Sequence, residues 1–209
     1  MITVWGGGTS RSLRVTWLME EMGLAYRLRS VDLLNNPEEP AFLAVNPGGF
    51  IPVMQDGEVT MVESVAIVEY LIARYGPTPL APAPNDPAFP AYQQFLHLGE
   101  AGLAASVFFV IGARNFAPEA ERNNWSAAQA LGVFESRLRL VTQQLARSPY
   151  LGGETFTAAD ISVAYALVLG TKWAGISLGD AEQAYLARTT GREAYKRAFE
   201  TSEAAVVRS

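Results

Sequence analysis

Residues 46–64 read NPGGFIPVMQDGEVTMVES, and this stretch carries the strongest local signals in the chain. Pro52 lies inside the apolar run 51–54, which has the composition of a β-strand. Proline cannot donate to a sheet ladder and belongs at strand starts or edges. A cis bond between Ile51 and Pro52 reconciles these two observations, and we predict that Pro52 opens a strand in this way.

The rest of the stretch predicts a β-hairpin followed by a helix. Asp-Gly at 56–57 separates the first apolar run from a second one at 58–61, and this dipeptide is the strongest short-range hairpin signal. Glu63 and Ser64 then open an apolar segment, 65–71, whose spacing is helical. Ser64 should therefore lie at or beside a helix N-terminus, where free amide groups attract a carboxylate.

A strand, a glycine-rich loop and a helix are predicted before this stretch. Residues 2–5 form the strand, and residues 6–10, GGGTS, form the loop with Ser10 as a candidate helix N-cap. Gly23 is the predicted C-cap of the helix, and Arg14 is expected off its buried face. The apolar residues whose helical spacing defines that face are Val15, Leu18, Met19 and Met22.

The following segments complete an α/β module. Residues 26–32 alternate as a half-buried strand does, and a βαβ unit of this length implies a right-handed parallel crossover. A short helix is predicted over 38–45 and a longer one over 64–75. The resulting βαβαββα order is that of a thioredoxin-like domain covering residues 1–76.

The composition changes abruptly after this domain. The segment GPTPLAPAPNDPAFP is rich in proline and predicts an exposed, semi-rigid linker, placed at 77–90. Strand signals vanish beyond it, so residues 91–209 are predicted to form an all-helical C-terminal domain. The long apolar-periodic patterns that indicate its helices lie at 91–114, 119–146 and 157–169.

One helix start in the second half is signalled by side chains. Thr157 and Asp160 have capping-box spacing, with aspartate in place of the usual glutamate. Phe156 and Ile161 occupy the two positions of a hydrophobic staple. The segment is expected to serve folding rather than chemistry.

Composition limits the classes of function. The chain has 209 residues, 49% of them hydrophobic and 18% charged, and no run of about 18 apolar residues, so we expect a globular protein without a membrane partner. A net charge of −5 without a basic run argues against a nucleic-acid partner. The start MITVWGGG lacks the pattern of a signal peptide and the chain has no cysteine, so a cytoplasmic location is expected.

The order of these signals resembles the cytosolic glutathione transferase superfamily. The hairpin opened by Pro52, the helix beginning Glu-Ser, the FTAADI capping segment and the closing run YLARTTGREAYKRA all match it. The resemblance implies that the backbone of Ile51 pairs with the cysteinyl part of glutathione and that Glu63 and Ser64 hold its γ-glutamyl end. It also implies glutathione as co-substrate, a small apolar electrophile as second substrate, a role in detoxification and a homodimer.

The chain itself restricts the group that would activate the glutathione thiol. Without cysteine it has neither a CxxC motif nor a catalytic cysteine, and no tyrosine precedes residue 26. The hydroxyls left after the first strand are Thr9, Ser10 and Ser12. The run SRSLRVTWLMEEMGL resembles the serine-type, bacterial-like members, which makes Ser10 the predicted catalytic residue. Capping of the helix by Ser10 is compatible with that role, and Ser12 is expected to matter far less.

One position departs from the family pattern. Many relatives have a lysine that helps hold glutathione two residues before the cis-proline, and this chain has Phe50 there. Arg11 or Arg14 is then a candidate partner for the glycyl carboxylate. The alternative function is that of a non-catalytic relative, an interaction module or a carrier of hydrophobic ligands.

The remaining candidates receive plainer interpretations. His97 is the only histidine and is assigned no role, and no metal site is predicted. Aromatic residues in the second half are candidates for an apolar substrate pocket, although most are expected in the core. They are Phe108, Phe109, Phe116, Trp125 and Trp173.

Overall fold

A four-stranded mixed sheet forms the first part of the molecule. The computed structural model describes residues 1–33, 35–36, 38–122 and 124–207. The strands of the sheet are β1 (Ile2–Gly6), β2 (Tyr26–Ser30), β3 (Val53–Asp56) and β4 (Val59–Val62). They have the order β2-β1-β3-β4, with β1 and β2 parallel and β3 antiparallel to both of its neighbours.

Three helices complete the predicted βαβαββα module, which the structure confirms. They are α1 (Ser12–Met22), α2 (Pro40–Leu43) and α3 (Ser64–Tyr75). Only the short helix α2 and the second strand are clearly shorter than predicted. The ring of Phe42 lies 5.9 Å from that of Trp5, centroid to centroid, so α2 helps to bury the first strand.

The local turns follow the sequence closely. Gly23 ends α1 in the left-handed conformation with φ 66°, and Gly57 turns the β3–β4 hairpin with φ 60°. The carboxylate of Asp56 then accepts hydrogen bonds from the hydroxyls of Tyr70 and Tyr75 at 3.0 and 2.6 Å. These bonds connect the hairpin to the middle and the C-terminal end of α3.

The second half is helical, as predicted. Its helix α4 (Phe89–Leu98) continues through a π-helical segment, Gly99–Ala104, into α5 (Ala105–Asn115), and a short 3₁₀ turn precedes α6 (Trp125–Leu145). Asn123 and residues 208–209, which fall within predicted ranges, lie outside the described residues. The helices that follow are α7 (Ala158–Ala174), α8 (Asp180–Thr190) and α9 (Glu193–Val207).

The compact units of the structure do not coincide with the predicted domain ranges. One unit contains Met1–Thr78 together with Gly191–Ser209, and the other contains Pro79–Thr190. The last helix, α9, therefore groups with the sheet and not with the other helices, because it packs against α1 and β2. The proline-rich segment groups with the second unit, where Leu80 is buried.

Packing of α9 corrects the predicted burial of α1. The ring of Trp17 lies 4.8 Å from that of Tyr195, and Arg192 donates two hydrogen bonds, at 2.6 and 2.8 Å, to Glu21. With β1, α3 and α9 all in contact with α1, residues 12–19 are buried. Arg14, which was expected off the buried face, is 0% exposed.

The run Phe89–Asn115 also differs from the expectation. Among the described residues it is long and apolar enough to cross a membrane, although no such run was predicted. Half of its apolar window is buried, and core helices of globular proteins have the same length and composition. In this unit the run packs against α6 and α7.

The predicted capping segment of α7 is confirmed. Thr157 is the N-cap of a capping box in which its backbone N–H donates to the Asp160 carboxylate at 2.8 Å. The same carboxylate accepts from the Leu151 N–H and the Tyr185 hydroxyl, at 2.9 and 3.1 Å. Leu80 adds a backbone contact, since its carbonyl accepts from the first N–H of α7 at 2.8 Å.

We expect Asp160 to give stability a specific pH dependence. Burial raises the pKa of Asp160 from 3.8 to about 6, although hydrogen bonds from Leu151 and Thr157 oppose the rise. A raised folded-state pKa means that the contribution of Asp160 is complete below about pH 4 and is lost as the pH rises through about 6. Relative to Asp160→Asn, the wild type should lose on the order of 3 kcal/mol of unfolding free energy between about pH 4 and about pH 7.

Denaturant unfolding at several pH values measures this difference. Asp160→Asn should be less stable at every pH, because its amide nitrogen faces backbone donors, and the gap should narrow as the pH rises. Asp86→Asn, which removes an exposed carboxylate, is the matched control. A gap between wild type and Asp160→Asn that widens with pH would contradict the assignment.

Candidate functional site

The sheet register brings three separate chain segments to one edge. Trp5 near the end of β1 pairs with Val53 at the start of β3, and Val53 pairs with Val62 at the end of β4. The chain leaves or enters the sheet at this row of residues. The loop 6–10, the Ile51-Pro52 peptide and the start of α3 therefore lie at the same edge.

A pair of serine hydroxyls occupies the loop between β1 and α1. The Oγ atoms of Ser10 and Ser12 are 2.7 Å apart, and Ser10 Oγ also accepts from the Ser12 N–H at 3.3 Å. Ser12 Oγ accepts from the Gly7 N–H at 3.0 Å. Ser10 is half-buried and lies two residues before α1, so its hydroxyl binds a free N–H of the first helical turn although Arg11 is the formal N-cap.

The backbone of this loop is held from two sides. Gly6 passes so close to Ser12 that a Cβ atom on Gly6 would lie 2.3 Å from Ser12 Cβ and 2.4 Å from its Oγ. On the other side, the Gly8 N–H donates to the carbonyl of Ser202, in α9, at 2.9 Å. The loop therefore has fixed contacts both to α1 and to the C-terminal helix of its own unit.

The predicted cis bond between Ile51 and Pro52 is present. The preceding turn is organised by Asn46, whose side-chain amide donates to the Phe50 carbonyl at 2.7 Å and whose Oδ1 accepts from the Gly48 N–H at 3.0 Å. Asn46 is buried, and Pro52 is buried beside β3. Side-chain hydrogen bonds of this kind are why asparagine is common in turns.

The start of α3 has an unusual backbone conformation. Glu63 has φ 70° and ψ 104°, in a region that residues with a side chain rarely adopt, while its carbonyl accepts the first helical bond from Ile67 at 2.9 Å. Ser64 follows as the first residue of α3 and is buried, whereas Glu63 is exposed. Arg14 Nη1 donates to Ser64 Oγ at 3.3 Å.

This last contact bears on the two arginine candidates. Arg14 is completely buried, and its guanidinium donates a hydrogen bond to Ser64 inside the protein. Arg11 is half-buried in the loop and stays the candidate for a ligand carboxylate. Phe50, at the position of the family lysine, is 42% exposed, and its ring lies against Gly48.

Comparison with known proteins agrees with this geometry. The family model for the N-terminal domain of glutathione S-transferase matches residues 10–74. Glutathione S-transferase 3 of Zea mays is 31% identical over 158 residues, 71% of this chain and 68% of the maize protein. The theta class glutathione S-transferase of Xanthomonas axonopodis pv. citri, solved with glutathione bound, is 31% identical with a TM-score of 0.80, covering 95% of this chain and 96% of that one.

The chain belongs to the glutathione transferase family. A further relative, glutathione S-transferase 3 of Schizosaccharomyces pombe, is 30% identical over 167 residues, or 72% of this chain and 66% of the yeast protein. The serine-type subclass, and the role of each site residue, stay predictions for this glutathione transferase homologue.

Three contributors to the site were not predicted in the roles that the structure gives them. Ser12, weighed as a less important hydroxyl, forms a part-buried hydrogen bond to Ser10, and Arg14, weighed for the glycyl carboxylate, forms a buried one to Ser64. Asn46 orders the turn before Pro52, and the Asn-Pro-Gly-Gly sequence was a usable turn signal for it. No metal-binding cluster of three or more His, Cys, Asp or Glu residues occurs in the part of the chain that the structure describes.

The aromatic residues of the second unit differ from the expectation that most are core. Phe109 and Phe116 are 71% and 70% exposed, and Trp125 and Trp173 are 76% and 47% exposed. The reason is visible on α5, where Val107, Val110 and Ile111 form the buried face and Phe109 projects elsewhere. Asn115 donates to the backbone carbonyl of Trp173 at 3.0 Å, which places Trp173 near the end of α5.

Gly6→Ala tests the close approach of the loop to α1. The added methyl group would overlap Ser12, so the substitution should lower the unfolding free energy by about 1–3 kcal/mol, the usual range for overpacking. Gly132→Ala, in α6 with open space around the added Cβ, is the control and should be neutral or stabilising by up to about 1 kcal/mol. Equal stability of the two variants by thermal and denaturant unfolding would contradict the geometry.

Proposed function

We propose that the chain is a glutathione transferase that binds glutathione at this sheet edge and transfers its thiolate to a small apolar electrophile. The observation that carries the proposal is the row Trp5, Val53 and Val62, which gathers the loop, the cis-proline turn and the start of α3. In this family those segments contact the same tripeptide. The relative from Xanthomonas axonopodis pv. citri, solved with glutathione bound, supports the assignment.

The ligand would be held through complementary charges and through the backbone. We assign the exposed Glu63 carboxylate to the γ-glutamyl ammonium, and the Ser64 hydroxyl with the first N–H groups of α3 to the γ-glutamyl carboxylate. The backbone of Ile51, fixed by the turn before Pro52, pairs with the cysteinyl residue. Arg11 is assigned to the glycyl carboxylate, in place of the lysine that Phe50 replaces.

Ser10 would then stabilise the thiolate. A free thiol with a pKa of about 8.5 is only a few per cent ionised at neutral pH, so catalysis requires an environment that favours the anion. A hydroxyl supplies one hydrogen bond to it, and the N-terminus of α1 adds a favourable field. Ser10 Oγ accepts a hydrogen bond from the Ser12 N–H in the first turn of α1, so the side chain is held in place before the ligand binds.

We assign the apolar second substrate to the helical unit. Phe109, Phe116, Trp125 and Trp173 expose aromatic side chains there, and pockets for apolar ligands are lined mainly by hydrophobic and aromatic side chains. The homodimer, the cytoplasmic location and the role in detoxification are part of the proposal, and family membership supports them.

Calorimetric titration with glutathione tests the binding half of the proposal. The wild type should bind it, and both Glu63→Gln and Ser64→Ala should weaken binding by about 10- to 100-fold, because hydrogen bonds to charged groups contribute about 1.5–3 kcal/mol. Glu58→Gln in the hairpin and Ser106→Ala in α5 are the controls and should bind normally. Absence of heat and of thermal stabilisation with millimolar glutathione would favour the non-catalytic alternative.

Ser10→Ala tests the chemical half. Loss of the hydroxyl should raise the pKa of the bound thiol by about one to two units, read as thiolate absorbance against pH, and slow conjugation about 10- to 100-fold at neutral pH. The affinity for glutathione should change little, since the hydroxyl acts on the thiolate. Thr9→Ala is the matched variant. If Ser10→Ala turned over normally and Thr9→Ala lost turnover, the catalytic assignment would shift to Thr9.

A further inference from the structure

Ser12 is the buried member of the serine pair, and its environment fixes the direction of the hydrogen bond between them. A serine hydroxyl carries one proton and two acceptor lone pairs. Ser12 is 0% exposed, and its Oγ already accepts the Gly7 N–H at 3.0 Å. The acceptor within reach of its proton, among the described residues, is Ser10 Oγ at 2.7 Å.

The opposite direction leaves a buried group unpaired. If Ser10 donated to Ser12, Ser12 Oγ would accept two hydrogen bonds and its own proton would have no acceptor in a place that water cannot reach. Buried donors without partners are costly and rare. The half-buried Ser10 has no such difficulty, because its proton can point out of the protein.

With Ser12 as donor, the acceptor capacity of Ser10 is filled from inside. Ser10 Oγ receives the Ser12 O–H at 2.7 Å and the Ser12 N–H at 3.3 Å. Its own O–H is then the one function left for a ligand, and it can only donate. The bonds run in one direction, from the Gly7 N–H through Ser12 to Ser10, and such chains strengthen each member by polarisation.

We propose that Ser12 is a positioning residue that orients the Ser10 hydroxyl as a hydrogen-bond donor toward the thiolate of bound glutathione. The inference rests on the proposed function and deepens it. We therefore expect Ser12→Ala to have a larger effect than the sequence suggested. Without the Ser12 hydroxyl, Ser10 loses a donor, keeps a free lone pair and can turn its proton away from the sulfur.

The test follows the pKa of the bound thiol in wild type, Ser12→Ala, Ser10→Ala and the double variant. Ser12→Ala should raise that pKa by about 0.5–1 unit and lower kcat about 3- to 10-fold at neutral pH, with little change in KM for glutathione. At a pH well above the thiol pKa its rate should approach that of the wild type, because the thiolate then forms without help. The double variant should match Ser10→Ala alone, because Ser12 acts through Ser10.

Two variants separate positioning from packing. Thr16→Val removes another buried hydroxyl one helical turn further along α1, where Thr16 Oγ1 donates to the carbonyls of Ser12 and Leu13, and it should leave the thiol pKa unchanged. Ser12→Thr keeps the hydroxyl and adds a methyl group, so its thiol pKa should stay low even if its stability falls. If Ser12→Ala does not fold, a raised thiol pKa in folded Ser12→Thr still overturns the proposal.

The outcomes distinguish the two proposals. A wild type that does not bind glutathione overturns both. A wild type whose lowered thiol pKa depends on Ser10 but is unchanged in folded Ser12→Ala overturns the role of Ser12 alone. Additive shifts in the double variant, or a raised thiol pKa in folded Ser12→Thr, also overturn it.

Discussion

The pairing of β1 with β3 is the constraint on which the site depends. Because Trp5 lies opposite Val53 and Val53 opposite Val62, the chain crosses the same sheet edge three times within a short distance. A one-residue slip would turn every side chain of β3 to the other face and move the Ile51-Pro52 turn along the edge. The hydrogen bond from Trp5 Nε1 to the side-chain oxygen of Gln55 at 2.9 Å opposes such a slip, because it forms only in this register.

Helix α9 supports the site from behind. It covers α1, where Arg192 binds Glu21 and Arg197 donates to Glu20 at 2.8 Å, and its Ser202 carbonyl holds the Gly8 N–H. The more exposed ion pair, between Arg197 and Glu20, would by itself contribute little to stability. The larger effect of α9 is to exclude water from α1. An unpaired polar group in α1 is then costly, so the donors and acceptors of that helix form hydrogen bonds in a defined direction.

The sequence predicted what is encoded locally and missed what depends on distant packing. Residues a few positions apart determine the hairpin at Gly57, the C-cap at Gly23 and the capping box at Thr157, so short sequence patterns are enough to predict them. Burial of Arg14 depends on helices that pack against α1 from distant parts of the chain, among them α3, whose Ser64 accepts its hydrogen bond. A charged residue off the apolar stripe indicates a solvated face unless those partners are known, and the exposure of Trp125 is hidden in the same way.

Buried donors behind the two ligand serines show why these packing details bear on chemistry. Arg14 donates to Ser64 Oγ, and in the arrangement proposed above Ser12 donates in the same way to Ser10 Oγ, 2.7 Å away. Each serine would then keep its proton for the proposed ligand, whose carboxylate or thiolate requires a donor. Both donors lie two residues apart at the start of α1. In this arrangement one buried helical turn makes both hydroxyls available as hydrogen-bond donors at the edge where the sheet register has brought them together.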